Sequence, residues 1–186
     1  EGVSMESIDG PFGLQFLKIE SCQVYLGTNK GGWVYASERP MHRVELPSFM
    51  IMKDPISEKQ FAEILGKKND SDELKDMVTN DDVQLICETL SSHFEDEVRR
   101  PTQSEWKACE ELLNLPCGWT ELLSDEATGN HRGANLDGRP RTGEMIGPLS
   151  GHRVSQSAHP TKENVYFCVN TPGDRPLPKV GFRLVV

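Results

Sequence analysis

A change of character near Asn114 limits this chain more than any other feature of it. Before that point apolar residues recur at helical spacing. After it, half of the twelve prolines fall between Pro140 and Pro178, and apolar runs become short. Helices confined to the first two-thirds and a loop-rich β region at the end fit neither a helical bundle nor an alternating βα sheet. The pattern predicts an α+β fold with long ordered loops, the kind of loop that commonly carries function in a compact domain.

The helices announce their starts. In "RRPTQSEW", Thr102 and Glu105 have the spacing of a capping box, in which each side chain takes the other residue's backbone N–H. The helix predicted over 103–114 carries Trp106, Cys109 and Leu113 on one face. In "ISEKQFAEILGK", Ser57 and Gln60 repeat the box, Phe61, Ile64 and Leu65 face inward, and Gly66 ends the helix. The strongest stripe is Val83, Ile86, Cys87, Leu90 and Phe94 in "DDVQLICETLSSHFED". Strands are predicted at "FGLQFLKI" and "CQVYLGT", joined by a turn at Glu20 and Ser21. A further strand, "HRVELPSFMIMKD", breaks at Pro47 and is placed at an edge or bulge, and "GWTELLSD", "ENVYFCVN" and "VGFRLVV" complete the set.

At 186 residues the chain is expected to form one domain over 1–186, with residues 1–10 as a frayed or vector-derived end. No apolar run reaches the length of a membrane span. No basic-then-apolar leader is visible, though secretion is left open. A net charge of −9 argues against a nucleic-acid partner, which needs a basic face. The segment 150–186 is different: five Lys/Arg stand against two Asp/Glu, for a net +3. This is read first as a solvated face, with attraction of an anionic partner as the alternative. Five cysteines without a CxxC pair suggest free thiols and a reducing compartment, and no Cys or His spacing suggests zinc.

Four segments in order carry a resemblance. These are "SERPMHRVELPSFMIMKDPISEKQFAEIL", "RRPTQSEWKAC", "GNHRGANLDGRPR" and the closing "VGFRLVV". Together they resemble the formylglycine-generating-enzyme, or sulfatase-modifying-factor, superfamily, whose fold is a C-type-lectin-like α+β domain. The resemblance implies two or three helices packed on a twisted, mainly antiparallel sheet, with a loop-rich C-terminal half. It makes Thr102, Glu105 and Trp106 architectural, and Arg183 a structural ion pair or loop anchor. Glu38 and His42 are likewise read as scaffold.

Two departures bear on function. The oxidase members hold copper with two cysteines shortly before a stretch like "VNTPGDRPLPKVGFR". Counting back from Asn170, those positions fall near Val154 and His159, and Cys168 stands alone close to the final strand. The interval that carries calcium loops in those members shrinks here to "KACEELLNLPCGWTELLSD", without an evident oxygen cage. No catalytic residue, metal or cofactor is therefore assigned. Ser155 or Ser157 with His159 and Asp174 lacks a nucleophile elbow, and "DGRPRTG" lacks phosphate-loop spacing.

Within the same fold, the chain is most similar to the variable proteins of diversity-generating retroelements. These bind ligands through a C-terminal segment rewritten at template adenines. Rewritten asparagine codons never yield Lys, Glu, Gln, Met or Trp. Between Val154 and Pro178 only Gln156, Lys162 and Glu163 fall outside the permitted set, as they could in any polar loop. The resemblance thus marks 150–180 as a candidate variable segment. If "NVYFCV" is a strand, Val165, Phe167 and Val169 face one way, and Asn164, Tyr166 and Cys168 the other. The expected ligand face is His159, Tyr166, Cys168, Asn170, Asp174 and Arg175, meeting a protein or other macromolecule by a few anchors amid polar groups. The alternative is a divergent oxidoreductase of the superfamily that lacks the cysteine pair.

Overall fold

The computed structural model describes residues 6–27, 39–114, 116, 118–126, 132, 134–142, 152–158 and 166–186. Three α-helices and nine strands lie among them. The strands are β1 (Glu6–Asp9), β2 (Gln15–Ile19), β3 (Cys22–Leu26), β4 (His42–Leu46), β5 (Phe49–Met52), β6 (Thr120–Glu126), β7 (His152–Ala158), β8 (Tyr166–Pro172) and β9 (Val180–Gly181). The helices are α1 (Glu58–Ile64), α2 (Asn80–Ser91) and α3 (Gln103–Cys109).

All three helices open on a capping box. Ser57 pairs with Gln60, Thr79 with Asp82 and Thr102 with Glu105. Each box satisfies backbone donors that a helix start leaves open. The Thr79 box starts α2 at Asn80, one residue ahead of the "DDVQLICETLSSHFED" segment expected from sequence and three ahead of Val83, the first residue of its apolar stripe. At the far end of α1, Gly66 takes φ +71°, Lys67 N–H bonds to Ala62 O and Gly66 N–H to Glu63 O, a Schellman ending. The segment expected as one helix to Asn114 stops at Cys109 and tightens into a 3-10 turn over Glu110–Leu112. Leu113 is buried nonetheless.

The sheets pair as β1-β2-β5, as β3-β4, and as β8-β7-β6-β9. Two expectations change here, and one strand pairing goes against chain order. Residues 6–9 are not a frayed end, because β1 pairs with β2 over Glu6–Asp9. β2 and β3 follow one another but do not pair: β2 lies between β1 and β5, while β3 pairs with β4. The "HRVELPSFMIMKD" strand is two strands in two sheets, split at the proline that flagged a break. β7 had no sequence signal, since "HRVSQSA" offers one Val among polar residues.

The closing residues join the sheets. Only Val180 and Gly181 form a ladder, parallel to β6, but the chain beyond them zips onto β5. Met52 N–H bonds to Leu184 O at 3.0 Å, and Met50 and Val186 exchange two bonds at 2.9 Å. On the other side Arg99 and Val185 exchange bonds at 3.0 and 2.7 Å. Side chains alternate across this layer as strand geometry requires. Phe16, Met52, Leu122, Phe182 and Leu184 meet α2 in one core, while Leu17, Ile51, Leu123 and Val185 meet Trp106 of α3 and the β3-β4 pair in another. The sheet is thus a middle layer buried on both faces.

Gly181 shows how closely the layers approach. A Cβ there would overlap the Trp119 ring and lie 2.5 Å from the Lys75 carbonyl. Gly181→Ala is expected to lose about 1–3 kcal/mol from overpacking, read as a lower urea midpoint at unchanged slope.

Candidate functional site

At the centre of the middle layer stands an ion pair. Arg183 and Glu121 are both fully buried, and the guanidinium meets the carboxylate through Nε at 2.5 Å and Nη2 at 2.8 Å. Nη1 donates to the carbonyls of Met52 and Lys53 at 3.1 and 2.7 Å, and Nη2 to that of Asn114 at 2.7 Å. Every donor group of the guanidinium has a partner, and its Cζ lies 5.9 Å from the centre of the Trp106 ring. The expectation of a structural ion pair at Arg183 is met. Trp106 and Glu105 are buried on α3, and Arg99 grips Glu105 with two bonds of 2.6 and 2.9 Å. His42 sits on β4, its Nδ1 3.2 Å from the Pro40 carbonyl, and Glu38 lies outside the described residues.

This layer carries β7 and β8 at its edge. β8 pairs with β7 without a break, from Tyr166 opposite Ala158 to Pro172 opposite His152. Tyr166, Cys168 and Asn170 therefore occupy positions of one parity, opposite Ala158, Gln156 and Val154, and Thr171 has the other parity. Thr171 is buried. Beyond Pro172 the chain turns at buried Gly173 and exposes Asp174, Arg175 and Pro176. Arg175 Nε and Asp174 Oδ1 lie 3.5 Å apart on side chains about two-thirds exposed, where such a pair adds little stability. The strand thus places three of the expected residues at positions of one parity, and the loop after it brings two together. His159 lies outside the described residues, as do residues 160–165 and the side chains of Tyr166, Cys168 and Asn170. β7, with no sequence signal, contributes the facing positions Val154, Gln156 and Ala158.

One cleft was not foreseen from the sequence. The "ANLDGRPR" segment, residues 134–141, runs beside β4, where Glu45 N–H bonds to Leu136 O at 2.9 Å. It covers a cleft of about 380 Å³ whose walls include Leu46, Pro47, Cys87, Val98, Arg99 and Arg139. Gly138, at φ +82°, lies so close to β4 that a Cβ would stand 2.7 Å from Leu46. Asp125 pins the segment to α3, accepting Gln103 N–H at 2.7 Å and Arg141 N–H at 2.9 Å. Burial pushes the Asp125 carboxyl above its usual range against those two bonds, and the nearby Glu105 charge adds to the rise. Asp137, exposed at the rim, is held below the usual range, first by Arg139 N–H. Asp125 and Asp137 are thus committed to backbone and side-chain donors, as in an anchored loop. Among the described residues no cluster of three or more His, Cys, Asp or Glu side chains could hold a metal ion, and no helix is long and apolar enough to cross a membrane.

The described thiols are free: Cys22 is half-buried, while Cys87 and Cys109 are buried. Burial pushes Cys87 up to about 11 and Cys109 up to about 12. At pH 8 their thiolate fractions fall roughly a hundredfold and a thousandfold below an ordinary thiol's. Maleimide mapping by mass spectrometry should therefore find Cys22 modified well before either. Because both folded values are raised, the stability these groups contribute is full below about pH 9. It is lost as pH rises from there through 11 and 12, so an alkaline denaturation series should fall between about pH 9 and 12.

A middle sheet with helices on one face and α3 with a two-stranded pair on the other, closed by the segment 180–186, defines a C-type-lectin-like α+β domain. Two solved structures share it over almost their whole length. PvdO from Pseudomonas aeruginosa superposes with a TM-score of 0.75 at 12% identity, covering 100% of this chain and 99% of its own. Treponema denticola variable protein 1 superposes with a TM-score of 0.66 at 15% identity, covering 97% and 98%. At such identities the likeness establishes the fold. No protein-family profile and no curated protein sequence matches the chain.

Proposed function

We propose that the protein is a non-catalytic binding protein that displays a variable C-terminal surface on a C-type-lectin-like scaffold and is diversified by a retroelement. The observation that carries this reading is the full-length likeness to Treponema denticola variable protein 1. The geometry is compatible with it: the segment 150–180 includes an edge strand and an exposed turn, while the ion pair lies outside it and, of its described residues, Val180 alone belongs to a buried core. Its partner is a protein or another macromolecule, met by Tyr166, Cys168, Asn170, Asp174, Arg175 and His159.

Deep sequencing of the gene's 3′ end in its source population tests this. Substitutions are expected only at adenine-derived positions between about codons 150 and 180. Exposed positions such as 174 and 175 should vary, while buried Thr171 and Gly173 stay fixed. A uniform 3′ end overturns the reading. Copper uptake with O₂ consumption would then favour a divergent oxidoreductase of the sulfatase-modifying type.

A further inference from the structure

The turn that presents Asp174 and Arg175 is fastened at both ends to the start of α2. Asn80 N–H bonds to Gly173 O at 2.7 Å, and Met77 N–H to Leu177 O at 3.2 Å. In return Lys179 N–H bonds to Asp76 Oδ2 at 2.8 Å. Met77 and Lys179 both sit in the left-handed region, at φ +56°. Residues other than glycine keep that conformation where their surroundings over-determine it. The Asn80 side chain is the keystone. Arg100 Nη1 donates to its Oδ1 at 2.6 Å, and its amide lies against Gly173 where a Cβ would overlap it. The exposed tip therefore rests on a side chain that is itself gripped from the opposite wall.

We propose that Asn80, held by Arg100, is the positioning residue of the ligand face: it fixes the frame from which the 174–176 tip is presented, so binding residues there can change without the turn losing its shape. This rests on the proposed binding function for its purpose, but not for its test. A preorganised turn loses less entropy when a partner orders it.

The test is amide hydrogen exchange by NMR on the full chain, read at the Met77 and Lys179 amides, which tie the turn to the residues just before α2. In Asn80→Ala both should exchange roughly tenfold faster or more, the factor that corresponds to about 1.4 kcal/mol, while amides of β2 and β5 keep their rates. Asn80→Asp keeps an oxygen for Arg100 and should restore protection. Arg100→Met should reproduce the loss, and the double variant should lose no more than either alone. Unchanged rates at both amides in Asn80→Ala would overturn the proposal. So would equal acceleration across the whole molecule, or a failure of Asn80→Asp to rescue. The outcome is independent of whether residues 150–180 vary, which the sequencing experiment decides.

Discussion

Arg183→Met should lose about 3–5 kcal/mol of unfolding free energy, a large share of the roughly 5–15 kcal/mol that holds a domain folded. The reason lies in what stays behind. Glu121 would remain fully buried as a carboxylate without its guanidinium, and the carbonyls of Met52, Lys53 and Asn114 would lose a charged donor. Three chain segments far apart in sequence meet at that one side chain. Replacing both members, as in Glu121→Leu with Arg183→Met, removes the stranded charge and should recover much of the loss. Urea denaturation of the two single variants and the double decides the matter. A double variant no more stable than the worse single one would show that the pair's worth lies in its carbonyl contacts instead.

The second large effect is expected at Trp106. The side chain is fully buried, fills the core between α3 and the β3-β4 pair, and lies beneath the Arg183 guanidinium. Trp106→Ala should cost about 3–5 kcal/mol through the cavity it opens, and Trp106→Phe distinctly less. Because the ring also borders the ion pair, Trp106→Ala and Arg183→Met should not add. Their combined loss measured in urea should fall short of the sum of the two. Strict additivity would mean that ring and guanidinium are merely neighbours.

Much of the architecture was legible because it is written locally. Thr102 and Glu105, or Ser57 and Gln60, stand at a spacing that has one good geometric use, and the apolar stripe from Val83 to Leu90 defines the buried face of α2. Strand pairing is not written this way. Cys22–Leu26 follows Gln15–Ile19 after a two-residue turn, yet its partner is β4, because pairing is decided by what each face buries. β7 was invisible for a related reason: a polar strand shows no alternation. Glu6–Asp9, taken for a loose end, pairs through its backbone with a mostly exposed set of side chains. At the candidate site, parity along β8 could be read from its sequence, but the fastening of the turn could not. Asn80 and Gly173 stand far apart in the chain, and nothing local to either announces the other.

The closing strand imposes one more condition. Residues 182–186 are encoded after the segment 150–180, yet both cores need them: Phe182 and Leu184 on one face, Arg183 and Val185 on the other. If that segment is rewritten as proposed, a copying error that shifts the reading frame within it replaces all of these residues together. The resulting chain could close neither core. On that reading, a scaffold completed by residues encoded downstream of a rewritten segment would fold only from those copies in which the rewriting had kept the frame.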